Sequence, residues 1–182
     1  MTRPFYTIGH STRSLEDFIA LLTGPGIERV VDIRTVPRSR TNPQFNKDAL
    51  PEPLAAAGIS YEHVAALGGL RGKARSLPPS VNGFWSNESF HNYADYALSA
   101  PFHSGLQHLR EEGQRQRCVM MCSEAVWWRC HRRIVSDYLI AAGETVIHIM
   151  GRGRLEPARL TEGAVVRDDG TVVYPATSRS ET

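Results

Sequence analysis

Residues 117–150 read RCVMMCSEAVWWRCHRRIVSDYLIAAGETVIHIM, and their reading decides the fold. The first six residues are a short apolar run, as in a strand buried on both faces. From Ile134 the period changes. Ile134, Val135, Tyr138, Leu139 and Ala142 fall on one face of a helix, and Gly143 ends it. TVIHIM (145–150) is again a buried strand. Strand, helix and strand in one short unit predict a parallel pair joined by a crossover.

The same alternation extends toward the N-terminus. FYTIGH (5–10), RVVDIR (29–34) and ISYEHV (59–64) read as strands. SLEDFIALL (14–22) reads as a helix, with Ser14 and Asp17 at capping-box spacing and Gly24-Pro25 as its stop. A short helix is predicted from Leu50 to Ala57, and further helical patterns over 89–99 and 102–113. Residues 65–88 form a long Gly- and Pro-containing stretch, a length that favours a functional loop. VVRDDGTVVY (165–174) reads as a hairpin with a type I′ turn at Asp169-Gly170.

The expected fold is therefore a single α/β domain: a mostly parallel sheet with helices on both faces, of the Rossmann or flavodoxin kind. Its core spans 1–150, a C-terminal hairpin extension 151–176, and a polar flexible tail 177–182.

A chain of 182 residues with 41% hydrophobic and 22% charged residues suits one soluble globular domain. The formal charge of +2 does not by itself argue for nucleic acid. The chain has no apolar run of membrane-spanning length and no signal-peptide core, so no membrane association and a cytoplasmic location are expected. Three cysteines make a poor disulfide framework and suit free thiols or ligands in a reducing compartment.

In open α/β sheets, ligands bind outside the carboxyl ends of the strands. Four segments occupy that position: HSTR (10–13), DIRTVPRSR (32–40), ALGGLRGKAR (66–75) and CSEAVWWRCHR (122–132). They hold much of the chain's reactive chemistry. Cys130, His131 and Arg132 sit where a helix begins, a place that favours anions and lowers a nearby thiol's pKa.

Several readings compete here. A phosphatase-type cysteine loop needs five residues between Cys and Arg; Arg129 follows Cys122 with six, and two tryptophans crowd the loop. Cys122, Cys130 and His131, completed by His10 or Asp32, offer ligands for Zn or Fe, but no CxxC pair is present. A metal-free site would use Glu124 or Asp32 as general acid or base, with His131 or His10 sharing that work and arginines clamping an anion. A purely structural reading makes Cys118 and Cys122 buried strand cysteines and Glu124–Arg132 an ion pair.

In DIRTVPRSR, Arg34 is the strongest anion-binding candidate, ahead of Arg38 and Arg40. Gly68, Gly69 and Arg71 suit close approach to an anion, without forming a GxGxxG or P-loop motif. Phe84, Trp85, Tyr93 and Tyr96 could stack bases, although packing is the commoner use of such residues.

TIGHS, VVDIRTVPRSR with a following FN, LGGLRG and MCSEAVWWRCHR resemble the bacterial and archaeal family catalogued as domain of unknown function 488. The resemblance runs from about Tyr6 to Ile149. The family's pattern falls on Gly9-His10-Ser11, Asp32 with Arg34, Pro37 with Ser39, Phe45, Leu67-Gly68-Gly69, Cys122 with Glu124, and Cys130-His131-Arg132. It implies a compact α/β domain with a polar cluster at the strand ends, and no particular reaction.

These residue types suggest a hydrolase or group transferase acting on an anionic, phosphate-bearing substrate. Cys130 or Cys122 would be the nucleophile or a ligand, Glu124 and Asp32 acid or base, and His10 and His131 proton carriers. Arg34, Arg71, Arg132, Ser11, Ser39, Gly68 and Gly69 would bind substrate. The expected partner is a small anion or a nucleic acid. The alternatives are a non-enzymatic nucleotide- or nucleic-acid-binding module, and a thiol- or metal-based sensor that requires Cys122 and Cys130 to lie close together.

Overall fold

The computed structural model describes residues 3–176; the predicted tail 177–182 lies outside them. Its elements in chain order are β1 (Phe5–Gly9), α1 (Leu15–Thr23), β2 (Arg29–Asp32), α2 (Pro51–Ala56), β3 (Ser60–His63), α3 (Glu88–Tyr96), α4 (Ala100–Arg115), β4 (Cys118–Cys122), α5 (Arg132–Ala141), β5 (Val146–Gly151), β6 (Arg154–Pro157), β7 (Val165–Val166) and β8 (Val172–Val173). Six strands form one sheet in the order β3-β2-β4-β1-β5-β6; the first five run parallel, and β6 is antiparallel to β5.

This is the expected doubly wound α/β architecture. Its strand order is neither the 3-2-1-4-5-6 of dinucleotide-binding domains nor the 2-1-3-4-5 of flavodoxins.

Alternation along the central strands builds two cores. Tyr6, Ile8, Val30, Val119 and Met121 face one side and meet Phe18 and Leu22 of α1 and Leu54 of α2. Phe5, Val31, Met120 and Cys122 face the other and meet Tyr93, Phe102, Leu106, Ile134 and Leu139 of α3, α4 and α5. Phe18 and Leu22 are wholly buried, each contributing about 2 kcal/mol of apolar transfer. Ser14 Oγ accepts from Asp17 N–H at 3.1 Å, the N-terminal half of the predicted capping box.

The helix that follows β1 and the helix that follows the adjacent β4 thus lie on opposite faces. The chain diverges between these two strands, and a crevice opens above their carboxyl ends.

The C-terminal segment belongs to the same body. β6 extends the main sheet, and Val172 and Tyr174 enter the core on the α5 side. Tyr174 Oη donates to Asp137 Oδ2 at 2.7 Å, and Tyr138 Oη donates to the carbonyl of Val172 at 3.1 Å. The β7–β8 hairpin is present, but its turn differs from the type I′ expectation. Gly170 N–H donates to Arg167 O at 2.9 Å and Gly170 has φ +88°, while Asp169 keeps a negative φ. That is a three-residue loop with glycine in the left-handed position.

Candidate functional site

The crevice holds a cavity of about 530 Å³. His10 (after β1), Arg34 and Ser39 (after β2), Gly69 (after β3), and Cys122, Glu124, Cys130 and His131 (after β4) all line it. Four strand ends, far apart in sequence, converge because parallel strands deliver their carboxyl ends to one edge.

The loop after β4 is built around Arg132. This side chain is wholly buried, and no carboxylate pairs with it among the described residues. Nη1 donates to Cys122 Sγ and to the Glu124 carbonyl, both at 2.8 Å, and Nη2 to the Ala125 carbonyl at 3.2 Å. Burying a cation requires a compensating charge. A thiolate on the Cys122–Cys130 pair, whose sulfurs lie 2.6 Å apart, would supply it.

Cys130 is the more acidic of the two thiols. Burial opposes its ionisation, but the Cys122 S–H, the Arg132 charge and the Arg132 backbone N–H (3.4 Å from Sγ) together lower its pKa. Burial and the neighbouring Cys130 raise that of Cys122. The sulfur of Cys130 takes the place of a capping oxygen at the start of α5.

His131 is oriented by its far nitrogen. Nε2–H donates to the Ile33 carbonyl at 2.8 Å, which leaves the Nδ1 lone pair 3.6 Å from Cys130 Sγ. Burial lowers the pKa of His131, so the ring is neutral at pH 7 and able to take a proton. Thiol, imidazole and orienting carbonyl therefore stand in line.

Arg34 is held in a different way. Asp32 accepts from Arg34 Nε at 2.9 Å and from Nη2 at 2.7 Å, and it also accepts from Tyr61 Oη. Arg34 Nη2 donates to the Phe45 carbonyl at 2.7 Å, and Nη1 to His10 Nε2 at 3.3 Å. One N–H of Nη1 remains for the cavity. His10 donates from Nδ1 to the Ser11 carbonyl at 2.8 Å and stacks on Phe45 with ring centroids 4.4 Å apart. Burial, reinforced by Arg34, keeps it neutral.

Five of the residues singled out from sequence stand behind the cavity wall. Asp32 is wholly buried with both oxygens engaged by Arg34 and Tyr61, so it positions Arg34. Arg132 organises the loop. The proposed Glu124–Arg132 ion pair is replaced by a bond to the Glu124 backbone carbonyl, and the Glu124 side chain is exposed. Arg71 donates to the carbonyls of Gly68 and Ala65 and lies over the Tyr96 ring at 3.8 Å. Ser11 holds a left-handed φ of +52° beside His10. Gly68 packs on Thr35, and a Cβ there would stand 2.5 Å from Thr35 Oγ1.

The cavity also takes in Arg38, Arg129, Asn87, Ser89 and Phe90. The two arginines lie inside motifs visible in the sequence. Asn87, Ser89 and Phe90 come from the end of the long loop and the start of α3, where no motif marks them.

Two groups have metal-ligand chemistry. Among the described residues, Glu62 of β3 converges with His108 and Glu112 of α4, but Arg29 Nε lies 3.0 Å and 3.6 Å from the two carboxylates and already serves as their cation. Two thiolates on one zinc at about 2.3 Å stand roughly 3.7 Å apart. The Cys122 and Cys130 sulfurs, 2.6 Å apart, are closer than two ligands of one zinc. Among the described residues no helix is long and apolar enough to cross a membrane.

No curated protein and no solved structure matches the chain. The segment from the capping residue of α1 to the penultimate turn of α5 does match a family model. Residues 14–139, more than half of the 182, fit the domain of unknown function DUF488, and the chain belongs to that family.

Proposed function

We propose that this protein is a cysteine-dependent enzyme, a hydrolase or group transferase, acting on an anionic, phosphate-bearing substrate in the crevice above β1 and β4. One observation carries the reading. Cys130 Sγ lies between His131 Nδ1 (3.6 Å) and the Arg132 backbone N–H (3.4 Å), facing a cavity that Arg34, Arg38 and Arg129 also line.

The free N–H of Arg34, with Arg38, Arg129 and Ser39, holds the substrate's negative oxygens. The Cys130 thiolate attacks the electrophilic centre. A sulfur bond forms there and the bond to the leaving group breaks. The leaving group takes a proton from Glu124 or from solvent; water or an acceptor hydroxyl then displaces Cys130, and His131 Nδ1 accepts the proton it gives up. Free thiols support a reducing, cytoplasmic setting for this chemistry.

Alkylation tests the reading without a known substrate. Ordinary thiols react more slowly with the iodoacetate anion than with neutral iodoacetamide. In this cavity the order at Cys130 should reverse, iodoacetate should saturate, and inorganic phosphate should compete. Cys130→Ser should abolish the fast phase. If iodoacetate stays the slower reagent and phosphate has no effect, the cavity does not bind anions and the assignment is wrong.

A further inference from the structure

The group-transfer reading uses one thiol. It leaves Cys122 unexplained: a second sulfur 2.6 Å from the first, buried at the carboxyl end of β4. A nucleophile needs no such neighbour. Arg132 alone could stabilise a single thiolate.

We propose that Cys130 is a site of oxidation by small hydroperoxides, and that Cys122 is its resolving partner in a reversible intrachain disulfide. The proposal rests on Cys130 as the cavity's reactive thiol, and it adds a reaction at that site. The geometry orders the steps. Both sulfurs line the cavity, but Cys130 is the more exposed (5% against 2%), and at the start of α5 its sulfur accepts the Arg132 backbone N–H at 3.4 Å and faces His131 Nδ1 at 3.6 Å. A hydroperoxide therefore meets Cys130 first. The thiolate attacks the distal peroxide oxygen, the O–O bond breaks, and the released alkoxide or hydroxide takes a proton from solvent. Cys130 is now a sulfenic acid.

Cys122 is already in contact with that sulfur. Its sulfur attacks Cys130, the S–O bond breaks, and the Cys122 proton leaves with the hydroxyl as water. The peroxide has been reduced to an alcohol or water, and two thiols have become one disulfide. A dithiol reductant reverses the step by thiol–disulfide exchange. Arg132 favours the sequence, because Nη1 at 2.8 Å from Cys122 Sγ stabilises that sulfur as it gives up its proton. Cys118 takes no part. It lies at the other end of β4 in the core, and burial raises its pKa to about 12.

The test uses the full chain, reduced, desalted and treated with hydrogen peroxide, followed by intact mass and a peptide map. The expected product is lighter by two hydrogens, with a Cys122–Cys130 linked peptide, one free thiol left of three, and full recovery with dithiothreitol. Cys122→Ser should instead gain oxygen atoms at Cys130 and pass to a form that dithiothreitol does not restore. Wild-type protein that gains oxygen at Cys130 without losing hydrogen, or that links through Cys118 or between chains, overturns the proposal. So does wild-type protein whose thiols survive the treatment unchanged. These readouts are masses, so they stand apart from the alkylation test. A disulfide can form in a cavity that prefers no anion, and an anion-selective Cys130 can fail to form one.

Discussion

The His131 ring lies so close to the backbone of Gly69 that a Cβ on Gly69 would come within 2.5 Å of Nδ1. Nδ1 is the nitrogen that faces Cys130 Sγ, so the glycine sets the position of the base. Gly69→Ala should push the ring away while β3 and its neighbours stay folded. The rate of Cys130 alkylation at pH 7 should fall by about tenfold, in line with the sensitivity of reactive sites to small displacements. A variant with unchanged circular dichroism and unchanged alkylation rate would refute this role for Gly69.

Arg132 supports a second prediction. Its buried guanidinium balances the thiol pair and holds the Glu124 and Ala125 carbonyls. Arg132→Met fills the space but leaves the Cys122 sulfur and two carbonyls without their donor, and the cysteine pair without its cation. Losing one member of a buried charge pair costs about 3–5 kcal/mol. Urea unfolding should show a loss of that order, together with a rise in the apparent pKa for Cys130 alkylation. Stability within a few tenths of a kcal/mol of wild type would mean that Arg132 does not carry the loop.

How far the sequence leads is visible in these two residues. The strands were legible because buried parallel strands read as continuous apolar runs, as in RCVMMC. The place of Cys130-His131-Arg132 at a helix start was legible because the helical period starts at Ile134. The direction each side chain takes was not. Arg132 turns inward under its own loop, and Arg34 folds back onto Asp32, two residues earlier. Both outcomes depend on neighbours brought in by the sheet. The glycines of LGG suggested close approach to a ligand; the approach is made by His131 and Thr35. β6 (RLEP) escaped notice because it is an exposed edge strand with no alternating pattern, defined by its pairing with β5.

The C-terminal hairpin is held by a buried polar contact that can be tested alone. Asp137 Oδ2 accepts from Tyr174 Oη at 2.7 Å, and Oδ1 from Thr161 N–H at 2.9 Å. Burial raises the pKa of Asp137, and these donors oppose that rise. Tyr174→Phe keeps the ring and removes one donor, leaving a buried acceptor short. The expected loss is about 1–3 kcal/mol, with a further rise in the Asp137 pKa measured by NMR. A neutral substitution would mean that the ring alone holds the hairpin.

His148 should make the protein acid-sensitive well above the range where carboxylates titrate. It is buried on β5, bonded through Nδ1 to Thr7 Oγ1 at 2.6 Å and stacked on Trp127 with centroids 4.7 Å apart. Burial, then the charge of Arg132, lowers its pKa to about 3, against 6.5 when exposed. Below pH 6.5 the unfolded chain therefore binds a proton that the native chain refuses. Stability is intact above that value and falls as pH drops toward 3. At pH 5 this one group removes about 2 kcal/mol. His10 and His131, also lowered by burial, act in the same direction. Urea unfolding at pH 7.5 and pH 5 should show the loss, and His148→Gln should lose about 2 kcal/mol less than wild type over that interval. In NMR titration the His148 ring signals should stay at their neutral positions down to pH 5. A midpoint near 6.5 would show that the ring is solvated and would remove this source of acid sensitivity.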